Sequence, residues 1–80
     1  KKINFLNIDV EGAEMKVLKN LNFDKYDPDL ICVEILGYRE LQPDDREVKI
    51  KEDNIYKLLI KKGYKKVWSG PSFCSHLFYK

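Results

Sequence analysis

Two apolar runs of strand length, "INFLNIDV" and "LICVEIL", separated by a segment of helical period, constrain this chain more than any other feature. Ile3, Phe5, Leu6, Ile8 and Val10 crowd the first run more densely than simple alternation, which predicts a strand covered on both faces and central in its sheet. Gly12 breaks that run. Ala13, Val17, Leu18 and Leu21 then recur at helical steps, which predicts a helix that buries one face and turns Lys16 and Lys19 to solvent. The second run, residues 30–36, holds a single acid, Glu34, and reads as another buried strand. Strand, helix, strand in this order predicts a right-handed crossover and a parallel pair.

The remaining segments are punctuated by their turn residues. "NFDKYDPD" reads as a loop because proline biases Asp27 away from helix. Residues 37–49, "GYRELQPDDREVK", show no clean period and read as a structureless connection of the kind that often carries function. "EDNIYKLLIKKGY" predicts a helix with Asp53 or Asn54 as N-cap, Ile55, Leu58 and Leu59 on one face, and Gly63 in the left-handed position beyond its end. Tyr64 then packs back on Leu59. The tail divides at "SGPS" into two strands, "YKKVW" and "FCSHLFY", joined by a tight Gly-Pro turn. The whole is an α/β chain: two parallel strands with helices, plus a C-terminal antiparallel hairpin.

An 80-residue chain is one domain at most, and at this size burial barely exceeds the entropy lost on folding. It begins at Lys1 without a leader pattern, which reads as a piece of a longer chain. No apolar run approaches the length needed to cross about 30 Å of hydrocarbon. The formal net charge of +2, with both signs interleaved, gives no argument for nucleic acid or an anionic membrane surface. Cys32 and Cys74 lie far apart with no metal-type spacing, and read as two reduced, buried thiols of a cytoplasmic, reducing compartment. His76 has no nucleophile beside it in sequence and reads as a packed or edge histidine, and the aromatics of the tail as cross-strand pairs.

The chemistry gathers at the first junction. Ligands of open parallel sheets bind beyond the carboxyl ends of the strands, and Asp9, Glu11 and Gly12 sit at one such end while Glu34 sits near the next. Three carboxylates thus converge. Gly12, lacking a Cβ, permits a sharp turn or a close backbone approach to a ligand, and the start of the following helix favours ionised acids. The plainer alternative is that Asp9 and Glu11 cap that helix and Glu34 pairs with a base.

The segment "FLNIDVEGAEMKVLKNL", with "ICVEI", "IYKLLIKKGYK" and the final strand pair, resembles the FkbM-type methyltransferases, which depend on S-adenosylmethionine. The I-D-V-E-G-x-E stretch, Ile8 to Glu14, carries the resemblance most specifically. It implies a partial Rossmann-like methyltransferase fold: a single partial domain over residues 1–80, the C-terminal half of a class I methyltransferase domain. The half with the glycine-rich cofactor loop is not in this sequence. The resemblance further implies that Asp9 and Gly12 contact the cofactor, and that Asp9, Glu11 and, more weakly, Glu34 serve as catalytic acids in O-methyl transfer to a hydroxyl of a small molecule or glycan, by in-line displacement at a sulfonium carbon.

Two further classes stand beside it. Asp9, Glu11 and Glu34 as a carboxylate cluster for a hard cation would make a metal-dependent hydrolase. A non-catalytic α/β interaction domain would use the acids only as caps. The 80 residues alone are expected to be inactive, and a half sheet with a free edge is expected to form homo-oligomers or to aggregate.

Overall fold

The computed structural model describes residues 4–9 and 12–80. Four strands, β1 (Phe5–Ile8), β2 (Leu30–Glu34), β3 (Lys65–Ser69) and β4 (Ser75–Tyr79), form one sheet in the order β1-β2-β4-β3. β1 and β2 are parallel, with Phe5 beside Leu30 and Ile8 beside Val33, and β4 runs antiparallel to both β2 and β3. The mixed α/β order, parallel pair and closing hairpin therefore match the expectation from sequence. β1, however, is an edge strand among the described residues rather than a central one, and Phe5 is 52% exposed.

One face of the sheet carries the helices. Ile8, Ile31, Val33, His76 and Phe78 point from three strands into a core completed by Leu18 of α1 (Glu14–Asn20), Leu59 of α4 (Asn54–Lys61), Ile50 and Tyr64. By the strand register Phe5, Leu30, Cys32, Leu77, Trp68 and Tyr79 fall on the other face. That face is open, with Trp68 49% and Tyr79 54% exposed. Val17 is also more exposed than its helical spacing implied, because seven residues of α1 bury only a narrow stripe.

Two segments read as irregular contain helix. α2 (Phe23–Tyr26) is one turn, started by the Asn22 side chain accepting from the Lys25 N–H at 3.0 Å and ended by Asp27 in left-handed geometry. Pro28 still excludes helix at its predecessor, so of the expected loop only the part from Asp27 onward is free of helix. α3 (Pro43–Lys49) replaces the expected structureless connection and continues into a 3₁₀ turn, Ile50–Glu52. Pro43 starts it at the position where its missing N–H costs nothing, with Asp44 and Asp45 at the positive end of the helix dipole. Tyr38 holds the loop before it by donating to Asp53 Oδ2 at 2.9 Å.

The cap of α4 follows the sequence closely. Asp53 Oδ1 accepts the Ile55 N–H at 2.8 Å, and past the end the Tyr64 N–H reaches Leu59 O at 2.9 Å while that of Gly63 reaches Ile60 O at 3.0 Å. This paired arrangement needs a left-handed residue, and Gly63 has φ of +98°. Tyr64 is thereby driven inward, 1% exposed, where its hydroxyl donates to the Pro28 carbonyl and links the helix cap to the start of β2. The hydroxyl stays protonated: burial first, then the charges of Asp27 and Asp29, push its pKa up to about 12.

The Pro28 carbonyl loses this donor in Tyr64→Phe. Chemical denaturation should show a loss of about 1 to 3 kcal/mol from the unsatisfied buried acceptor, and an unchanged midpoint would remove the bond from the account of stability.

Candidate functional site

Asp9 follows β1 directly and is exposed. Continuing the parallel register one step past the Ile8–Val33 pair sets Asp9 beside Glu34, the last residue of β2. Both positions alternate onto the open face. The charge of Asp9 is felt at Cys32, one strand over on that face, whose thiol pKa is raised by burial and then by Asp9. The fold therefore brings two of the three expected acids together at the carboxyl ends of the parallel pair. Glu11 lies outside the described residues.

Gly12 is exposed and has φ of +90°, with no atom within 4 Å of where a Cβ would stand. The backbone here is open to a close approach, as its place after the strand predicted. Its N–H, however, is already used: it donates to Glu14 Oε1 at 2.9 Å. Glu14 is 5% exposed, and its second oxygen, Oε2, has no hydrogen-bond partner. Among the described residues Glu14 is thus the acid that braces the turn into α1, a role that sequence reasoning gave to Asp9 or Glu11. Its signal was available, since residues 14, 18 and 21 share the apolar stripe and an acid on that stripe must bury its carboxylate.

A second group of polar side chains went unseen in the sequence. β3 carries a bulge: Lys66 stands opposite Phe78 and Trp68 opposite Leu77, so Val67 is the extra residue. Without it Lys66 and Ser69, three apart, would face opposite sides of the sheet; with it both face the helix side. Lys66 Nζ then donates to Ser69 Oγ at 2.7 Å and pairs with Glu47 of α3 at 3.1 Å. Ser69 in turn lies 2.9 Å from His76 Nδ1.

His76 is 0% exposed and Nε2 has no hydrogen-bond partner. Burial first, and then the Lys66 charge, lower its pKa to about 4, against a smaller opposing pull from the Ile35 and Phe73 backbone and from Glu47. The imidazole is packed, as read from sequence; burial also keeps it neutral, and it is hydrogen-bonded into a polar chain. The cysteines are unpaired and half-buried rather than buried, and Cys74 precedes β4 instead of lying in it. Among the described residues no group of three His, Cys, Asp or Glu is placed to hold a metal ion, and no helix is long and apolar enough to cross a membrane.

A histidine kept neutral by the fold links stability to pH. The unfolded chain takes up this proton near pH 6.5 and the folded chain only near 4, so stability is full above that window and falls as pH drops through it, by at most about 3 kcal/mol. Denaturation midpoints of wild type and His76→Gln from pH 7.5 to 4 should show a shallower decline in the variant; parallel curves would assign the loss to other groups.

Comparison with known proteins identifies a family. The family described as the methyltransferase FkbM domain matches residues 1–66, which include β1, the turn at Gly12, α1, β2, α3 and α4. No curated protein and no solved structure matches the chain. With the family model covering residues 1–66 of the 80, this chain belongs to the FkbM methyltransferase domain family.

Proposed function

We propose that the chain is the later half of a Rossmann-like, S-adenosylmethionine-dependent methyltransferase domain that transfers a methyl group to a hydroxyl of a small molecule or glycan. The observation that carries this reading is the family match over residues 1–66 together with Asp9 and Glu34 at adjacent carboxyl ends. S-adenosylmethionine, when bound, supplies a methyl group on a sulfonium sulfur. The residues present fit such a group. Asp9 is an exposed carboxylate suited to its ammonium, and the open backbone at Gly12 admits a close neighbour.

The chain's own part in the reaction is placement and proton handling. A carboxylate at Asp9 aligns a polar ligand at the strand end, while Glu34, or Glu11 from its place in the motif, accepts the proton of the acceptor hydroxyl. Gly12 acts through its shape rather than its amide, since that N–H is held by Glu14. The cytoplasmic setting read from sequence is supported by the two unpaired thiols.

In the full-length protein, Asp9→Asn should reduce methyl transfer from S-adenosylmethionine by about a hundredfold or more, followed as S-adenosylhomocysteine released with a panel of hydroxyl acceptors. The melting temperature should hold. Turnover near wild type would remove Asp9 from the machinery, and no transfer to any acceptor by the wild-type protein would remove the reaction.

The open face and free β1 edge support a second part of the reading: this segment is completed by further protein, and alone it neither turns over nor stays monomeric. Expressed as these 80 residues, it should self-associate in light scattering, and Phe5→Lys with Trp68→Lys should shift it toward monomer. A monomeric wild-type segment at high concentration would contradict this.

A further inference from the structure

The bulge in β3 builds a site that the methyl-transfer reading does not use. Between α3 and the outer edge of β3 lies a cavity of about 610 Å³, lined among others by Arg46, Glu47, Lys66, Trp68, Ser69 and Phe73. On β3 it stands two inter-strand steps from Glu34 on β2 and three from β1, roughly 10 and 14 Å at ordinary spacing, and its two cations lie at the opposite edge of the sheet from the Asp9 end.

Two cations reach it, each held in place. The Arg46 guanidinium sits 4.7 Å from the centroid of the Phe73 ring, and among the described residues only one of its five donors is engaged, at 3.5 Å from the Arg39 carbonyl. Lys66 has a side chain only 13% exposed, lies 5.7 Å from the same ring, and is oriented by Ser69. Phe73 anchors the platform from an uncommon backbone conformation, φ of +55°, with its ring edge-on to His76 at 4.8 Å. Strain in a bulky residue and a bulge that re-aims a lysine both occur preferentially where a ligand must be held.

Glu47 indicates what the cations want. Its carboxylate caps Lys66 at 3.1 Å, yet its side chain is 56% exposed on a short surface helix. A carboxylate that stays open to water holds its partner weakly, so a ligand oxygen displaces it at little cost and gains Arg46 as a second partner. Trp68 starts from the open face, but β3 is an edge strand and the indole lies over Gly70, with Cη2 3.4 Å from where a Cβ would stand there, so it also walls the cavity and offers a flat apolar surface for the body of that ligand.

We infer that this cavity binds a small ring compound, such as a sugar, through a carboxylate or phosphate that takes the place of Glu47 between Lys66 and Arg46, with the ring against Trp68. Both anionic groups share the chemistry of oxygen atoms that accept from a guanidinium and an ammonium.

The test titrates the full-length protein, without S-adenosylmethionine, with D-glucuronate, glucose 6-phosphate and glucose, following the Trp68 indole N–H by NMR. At least one anion should bind tenfold or more tightly than glucose, and the tighter of the two identifies carboxylate or phosphate as the preferred group. Arg46→Gln should remove most of that preference, and Glu47→Gln should tighten anion binding several-fold because the competing carboxylate is gone. Anions that bind no better than glucose, or whose binding Arg46→Gln leaves intact, would overturn the site. A Glu47→Gln variant with unchanged anion affinity would overturn the displacement. Because binding is read without methyl transfer, each of these results stands or falls independently of the enzymatic reading.

Discussion

Everything in this chain is arranged around β2, which pairs on both sides and is the strand the other elements depend on. Its alternate residues Ile31 and Val33 are 0% exposed, and Ile35, just past its end, 2%. That single row is covered by helices on one side only. A strand hydrogen-bonded at both edges has its backbone groups satisfied, so the row can be wholly apolar. The parallel pairing with β1 also places Ile8 beside Val33, which sets the carboxyl ends level and brings Asp9 next to Glu34.

The opposite face has a different logic. Phe5, Trp68 and Tyr79 are about half exposed there, in a sheet whose β1 edge is unpaired among the described residues. A patch of aromatic and aliphatic side chains of that kind is costly in water and usually marks a contact surface. It accords with the membership of the chain in a methyltransferase domain family and with the reading that more protein completes the fold. The acids at the strand ends are on this same face, so what covers it also closes the space around them.

Polar groups on the covered face show how a small deviation changes the chemistry available. One extra residue at Val67 turns Lys66 and Ser69 to the same side, and the buried imidazole of His76 becomes the end of a hydrogen-bonded chain that begins at Glu47 on α3. The bulge thereby couples a surface helix to the core. Tyr64 makes a comparable link at the other end of the sheet, from the cap of α4 to Pro28.

Much of this was legible in the residues themselves. The two apolar runs and the period between them specify a parallel pair with a crossover helix, and Asp53 with Gly63 specifies both ends of α4, because caps and periodicity are local and need no knowledge of neighbours. The place of Asp9, directly after a strand and ahead of a helix, was legible for the same reason. Short helices were not. Four residues at Phe23 carry too few turns to show a period, and the seven from Pro43 bury no residue and so have no apolar stripe; they form because Asn22 and Pro43 start them and the core accepts Phe23 and Ile50. Tertiary structure alone decided that β1 is an edge among the described residues, and that Lys66, Ser69 and His76 meet. Strand pairing determines these relations, and residues far apart in sequence become neighbours only when register and bulge are set.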